Sequence, residues 1–230
     1  MTDPAFPDPD RRNPLAEDCR ECPALVAARN RICWGVGPRD ASLVVVGEAP
    51  AAGSPDADRW QGGNWTGMAY SGGRSGKKIR GMVADLGFAE DAYYTNAVKC
   101  FPSAAIPHDD PEAATELDCP PHETDNREPH PEERANCRPF LVREIEQVAP
   151  DCVVTTGKHA TQSLFSLDGR EADGFLDLVG EVQRLPSLDP PVFPVLHPSY
   201  QEVWISRLGH SRESYLESIG VALAGVVGDE

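Results

Sequence analysis

Lysine is scarce in this chain. Four lysines (Lys77, Lys78, Lys99 and Lys158) stand among 21 basic residues, against 37 acids, and the formal net charge is −16 over 230 residues. An acid-rich, lysine-poor surface suits a protein that works in concentrated salt. No run of eighteen apolar residues occurs, which excludes a membrane-spanning helix. The opening stretch "MTDPAFPDPDRRNP" holds no apolar signal region, so a cytoplasmic protein is expected. The glycine-rich "YSGGRSGKK" fails the Walker pattern, because Ser71 and Lys78 stand where Gly and Ser or Thr are required. No G-x-G-x-x-G follows a strand either, which leaves a nucleotide-cofactor enzyme poorly supported. There is no internal repeat.

The acid surplus also weighs against nucleic acid, whose binding rests on phosphate neutralisation. Net charge is not local charge, however. From Arg59 to Ala84 there is no acid and there are five bases: Arg59, Arg74, Lys77, Lys78 and Arg80. A second acid-free window, Val203 to Arg212, holds Arg207, His210 and Arg212. At molar salt the Debye length is about 3 Å, so distant acids scarcely repel a phosphate held at those windows.

Seven cysteines are present, at 19, 22, 33, 100, 119, 137 and 152. Their odd number and the expected intracellular setting favour metal or cluster ligation over disulfides. Cys152 reads as core and Cys33 as structural. His108, His122 and His130 fall in a polar stretch and read as solvated loop histidines.

Four apolar runs read as strands: "SLVVVG" (42–47), "AYYTNAV" (92–98), "DCVVTTG" (151–157) and "VFPVLHP" (192–198). Helices are expected over 74–87, ended by Gly87, over 132–150, stopped by Pro150, from Lys158 onward, and over 212–227. The alternation predicts one α/β domain with a central, mostly parallel four-stranded sheet and helices on both faces. Residues 1–18 read as a loose acidic arm, 19–230 as the domain, and 103–134 as a solvated acidic insertion rich in Pro, Asp, Glu and His.

In such sheets the ligand site lies beyond the carboxyl ends of the strands. Glu48 follows the first strand, Asn96 ends the second, and His197 and Ser199 follow the fourth. Each alone has an ordinary structural reading: a solvated loop acid, a satisfied turn amide, a histidine capping a core strand. Jointly, at three ends of one sheet, they read as a pocket holding a carboxylate, an amide and an imidazole. Loop amides of "YSGGRSGKK" leading into a helix can hold one phosphate.

"VVVGEAPAAG", "TGMAYSGGRSG", "YYTNAVKC", "CRPFLVREIEQVAPD" and "VLHPSY" occur in the order found in the iron–sulfur uracil-DNA glycosylases. The resemblance covers residues 15–225 apart from the insertion. "GEAP" is similar to family four of that superfamily, and "GGNWTGMAYSGGRSG" to family five. With the acid surplus, it points to a member from a halophilic archaeon.

The resemblance implies a [4Fe–4S] cluster on Cys19, Cys22, Cys100 and Cys137, stapling the DNA-facing loops; thiolate ligation of this kind is chemically sound. The 36 residues between Cys100 and Cys137 exceed the family's usual spacing, and Cys119 among them competes as fourth ligand. Zinc on four cysteines is the metal alternative.

The substrate implied is uracil-containing DNA, single- or double-stranded, with the chain expected to act as a monomer. Excision requires flipping the base, reading its edge and stabilising the leaving anion. Asn96 offers one donor and one acceptor to uracil O4 and N3–H. Tyr70 takes the place of the stacking aromatic, where phenylalanine is commoner. His197 donates to uracil O2, and Glu48 orients or deprotonates water or stabilises the sugar cation electrostatically. Gly47 and Ala49 present backbone to the base. Ser199, Arg74, Lys77, Lys78 and Arg207 meet the DNA, and Tyr200 and Trp204 are candidates to fill the gap the flipped base leaves. Two alternatives remain: another deaminated base such as hypoxanthine, or a non-catalytic iron–sulfur DNA-binding protein on the same fold. The latter would be marked by loss of Glu48, Asn96 or His197, and all three are present.

Overall fold

The computed structural model describes residues 3–116 and 125–227. In chain order the elements are α1 (Pro23–Ala28), β1 (Leu43–Gly47), α2 (Gly63–Thr66), α3 (Arg74–Asp85), β2 (Ala92–Asn96), α4 (Pro131–Val148) and β3 (Cys152–Thr156). There follow α5 (Lys158–Phe165), α6 (Phe175–Leu178), β4 (Gln183–Leu185), β5 (Leu188–Val195), α7 (Gln201–Arg207) and α8 (Arg212–Ala224). The strands form one sheet in the order β2-β1-β3-β5-β4. The first four are parallel neighbours, and β4 pairs antiparallel with β5.

The expected sheet of four strands therefore has a fifth. Strand β4 has three residues, two of them polar and only Leu185 buried, so it carries no apolar run. It pairs with the Leu188–Val192 part of β5, which begins earlier than its apolar run suggests.

Alternation along each strand divides the core in two. Leu43, Val45, Tyr94, Val154, Phe193 and Val195 meet Ile79, Met82 and Val83 of α3 and Tyr215, Ile219 and Leu223 of α8. Val44, Val46, Tyr93, Val153 and Val192 meet Leu141, Ile145 and Val148 of α4 and Leu164 and Phe165 of α5. Both faces are covered, so every β1 residue is buried, as parallel sheets require.

Two sequence expectations are corrected. Residues 3–16 are tied down rather than loose. Asn13 Nδ2 donates to Tyr93 Oη (3.0 Å) and Gln147 Oε1 (2.9 Å), Arg12 Nε to the Gly67 carbonyl (2.7 Å), and Phe6 meets Trp60 edge-on. Polar composition hid this, because the anchors are single side chains with distant partners. The 103–134 stretch is not simply solvated. Ile106 is fully buried against Ala24, Ala28 and Phe101, and Ser103 bridges to Asn126. Its last residues open α4, where His130 is the N-cap and exchanges capping bonds with the helix's first turn. Cys119 and His122 lie outside the described residues. Among those described, no helix is long and apolar enough to cross a membrane.

Candidate active site

A cavity of about 1000 Å³ opens at the carboxyl edge of the sheet. Gly47 and Glu48 after β1, Asn96 at the end of β2, Thr156 and Gly157 after β3, and His197 after β5 all line it. Ala49, Tyr70 and Ser199 line it as well. The seven residues expected to bind or transform substrate thus share one cavity.

Each is placed by local chemistry. His197 Nδ1 accepts from the Ser199 backbone N–H (3.2 Å), so in the neutral ring the proton sits on Nε2. Burial, then His159, pushes the His197 pKa down, which favours that neutral form. Asn96 is buried, and its Nδ2 donates to Cys33 Sγ (3.6 Å). Tyr70 adopts a positive φ of 52°, uncommon for a residue with a side chain. Its hydroxyl meets Thr156 Oγ1 at 2.8 Å, and burial raises its pKa well above the usual phenol range. Burial raises the Glu48 pKa; His159 and Arg134 oppose the rise and Glu128 adds to it.

Glycine is required twice here. A Cβ on Gly47 would stand 2.4 Å from Asn96 Oδ1 and 2.9 Å from Tyr70 Oη. Gly157 has φ +97°, and a Cβ there would lie 3.0 Å from His197 Cβ. Gly47→Ala is accordingly expected to cost about 1–3 kcal/mol through overpacking, read as a lower midpoint of thermal unfolding.

The basic residues expected at DNA lie at the margin. Arg74 is exposed at the start of α3, beside Ser75 and Gly76, which line the cavity. Lys77 Nζ pairs with Asp3 (3.2 Å), Lys78 Nζ with Glu202 (3.2 Å), and Arg207 lies over the Trp204 ring. Both lysines would have to exchange an acid for a phosphate. Trp204 reaches the cavity, and Tyr200 is 61% exposed at its rim.

Cys22, Cys100 and Cys137 share one buried cluster, with Cys19 packed against it. Burial pushes the Cys100 thiol up to about 11 and Cys137 to about 12, so ligation must displace protons. Arg29 Nη1 donates to Cys100 Sγ (3.2 Å) and Asn136 Nδ2 to Cys22 Sγ (3.5 Å). Four cysteines packed together, with N–H donors on the sulfurs of Cys22 and Cys100, fit a thiolate-bound cluster, whose sulfurs accept such bonds. Ala97 N–H donates to the Gly47 carbonyl and Val98 N–H to that of Glu48, so one short segment joins the cysteines to the cavity.

Some cavity residues escaped the sequence reading. Cys33, read as structural, lines the cavity, and so do Asn126, Arg127 and Glu128 of the insertion and His159 of α5. "GKH" after β3 stands at a strand end just as "GE" does after β1, a signal that was available. Elsewhere, His108 and His130 stack at 3.9 Å, and the His108 ring nitrogens face Glu132 and Glu133 at 3.2 and 3.5 Å.

A family model of the uracil DNA glycosylase superfamily matches residues 34–218. The chain belongs to that superfamily. It is 30% identical to the type-4 uracil-DNA glycosylase of Archaeoglobus fulgidus, over 88% of this chain and 86% of that one. It is 31% identical to the type-4 enzyme of Thermotoga maritima, over 79% and 77%. A type-5 uracil-DNA glycosylase of Pyrobaculum aerophilum is 28% identical, over 83% and 82%. Superfamily members of both types are thus similar to it along most of their length.

Proposed function

We propose that this chain is a uracil-DNA glycosylase of DNA repair, hydrolysing the N-glycosidic bond of a uracil flipped out of DNA. The observation that carries the reading is the meeting of Glu48, Asn96 and His197, from three distant strand ends, on one cavity. The similarity to uracil-DNA glycosylases over most of the chain agrees with it.

The C1′–N1 bond breaks with its electron pair passing to the base, so negative charge grows on the uracil oxygens while the sugar gains oxocarbenium character. His197 Nε2–H donates to O2 as that charge develops. Asn96 reads O4 and N3–H, and Tyr70 stacks on the ring. Glu48 orients the water that attacks C1′ and takes its proton. Backbone of Gly47 and Ala49 borders the base. Ser199, Arg74, Lys77, Lys78 and Arg207 contact phosphates, and Tyr200 and Trp204 border the gap left in the stack.

Cys19, Cys22, Cys100 and Cys137 would hold the [4Fe–4S] cluster, which supplies a structural staple and no redox step. Cys22→Ala is expected to abolish the absorbance at about 400 nm that such centres show; a retained chromophore would reassign the ligands. The enzyme works as a monomer in a halophile's cytoplasm.

The test of substrate reading is Asn96→Asp. Its carboxylate cannot donate to O4, so selectivity for uracil over cytosine should fall at least tenfold, about 1.4 kcal/mol. Unchanged discrimination in paired oligonucleotides would remove the reading role.

A further inference from the structure

Where α4 begins, two histidines and a glutamate come together, and none of the three lines the active-site cavity. We propose that His108, His130 and Glu132 bind one divalent transition-metal ion, zinc by preference, which clips the insertion to the first turn of α4. The site is separate from the residues read as excising uracil.

The three residues meet because the insertion folds back on itself. Ser103 bridges to Asn126, the Ala104 N–H donates to the Asp125 carbonyl (2.7 Å), and the Arg127 N–H donates to the Pro102 carbonyl (2.9 Å). Ile106 is fully buried, and its carbonyl accepts from Arg127 Nε (3.0 Å), which fixes the chain two residues before His108. On the other side, the His130 N–H donates to Glu133 Oε2 (2.8 Å) and starts the helix. The two imidazoles then stack at 3.9 Å with their planes 8° apart. One ligand atom from each of His108, His130 and Glu132 lies within 4.8 Å of the other two. Nitrogen and oxygen ligands stand about 2.0–2.2 Å from zinc, so the side chains must draw in by rotation. The Glu132 side chain is 67% exposed and has room to turn.

The arrangement of acceptors calls for a cation. His108 Nε2 faces Glu132 Oε2 at 3.2 Å, and its Nδ1 faces Glu133 Oε1 at 3.5 Å. A neutral imidazole has one N–H and can serve only one of these carboxylates. With that proton on Nδ1, toward Glu133, the Nε2 lone pair and the Glu132 oxygen confront each other, and a metal ion between them satisfies both. Arg127 grips the buried Glu133 with two bonds (2.8 and 2.7 Å). Glu133 is thus placed as the outer carboxylate that orients a metal-bound histidine. His130 Nδ1 accepts from the Glu132 N–H at 3.4 Å, a long bond that is given up whichever ring nitrogen takes the metal. A helix N-terminus disfavours a cation, and Glu132 and Glu133 in the first turn offset that.

Two imidazoles and a carboxylate suit zinc, nickel or copper, whereas magnesium and calcium prefer oxygen alone. Three protein ligands leave one position to water. The ion joins residue 108 to residues 130 and 132, and so secures the base of the segment whose Asn126, Arg127 and Glu128 line the cavity.

The test uses anaerobically purified, cluster-loaded protein, so that the cluster cysteines are occupied. It is incubated with zinc sulfate and desalted, and zinc and iron are counted by atomic emission. One zinc per chain beyond the iron is expected, and excess magnesium should not displace it. His108→Asn and His130→Asn are the variants; asparagine keeps an N-cap at position 130. Against a competing chelator, each should weaken zinc binding by about tenfold or more, because losing a ligand costs at least as much as losing an outer partner. Zinc should raise the parent's thermal midpoint and leave those of the variants unchanged, with iron content equal in all three. A parent that retains no zinc overturns the proposal, and His108 is then an imidazolium donating to both carboxylates. Zinc held equally by the parent and both variants places the ion elsewhere and overturns it as well.

Discussion

Replacing His197 with alanine is expected to slow uracil excision by roughly a hundred- to a thousand-fold, the usual cost of losing one preorganised donor to a developing anion. DNA affinity should change little. Three features define the effect. The Ser199 N–H occupies Nδ1 and so commits the ring's proton to Nε2. Burial holds the ring neutral, so it donates without carrying a charge into the cavity. The ring also rests on the close approach of Gly157, which fixes its position before the base arrives. A donor set in advance costs no rearrangement as charge appears, and that is why its loss falls on the rate. Single-turnover excision with enzyme in excess, beside fluorescence anisotropy on an uncleavable uracil analogue, separates rate from affinity. Equal loss in both would make His197 a structural residue.

Lys99→Met is expected to have the largest effect on stability. Lys99 and Glu144 are 1% and 0% exposed, and Lys99 Nζ meets Glu144 Oε2 at 2.6 Å. The ammonium also donates to Thr95 Oγ1 and to the Asn96 carbonyl, each at 2.6 Å, and Glu144 Oε1 accepts from Gly35 N–H. Removing the lysine strands a buried carboxylate, a loss of about 3–5 kcal/mol. For a chain of this size that is a fall in thermal midpoint of about 10 °C. Because the same ammonium holds the Asn96 backbone, excision should fall as well. The double variant Lys99→Met with Glu144→Leu, which leaves no stranded charge, should recover much of the stability. A single variant as stable as the parent, or a double variant no better than the single, would contradict this account of the pair.

The legible parts of the sequence were those whose physics is local or repeats along the chain. The runs "LVVVG" and "CVVTT" named buried parallel strands, and the ends of β1, β2 and β5 pointed to Glu48, Asn96 and His197, which line one cavity. Strand β4 was hidden because it is three residues long and pairs across one edge only. The grip of Arg127 on Glu133 and the reach of Glu128 to His159 were hidden for another reason. They depend on how the insertion folds back, and acidic, proline-rich composition describes the segment's average rather than its few buried contacts. The Lys99–Glu144 pair was half legible. Lys99 lies in the apolar "AVKCF", and Glu144 falls on the same stripe of α4 as Leu141, Ile145 and Val148. A charge at each place signalled a buried partner, but not which one.

The measurement that tests the central claim most directly is strand cleavage at a single uracil. Anaerobically purified, cluster-loaded protein would meet labelled oligonucleotides carrying uracil, hypoxanthine or thymine at one position. Alkali would follow incubation at low and at molar KCl. Cleavage at uracil and none at thymine, strongest at molar KCl, is the result expected. Intact strands at uracil under both salts, from brown protein that still binds DNA, would contradict the assignment of Glu48, Asn96 and His197 to uracil excision.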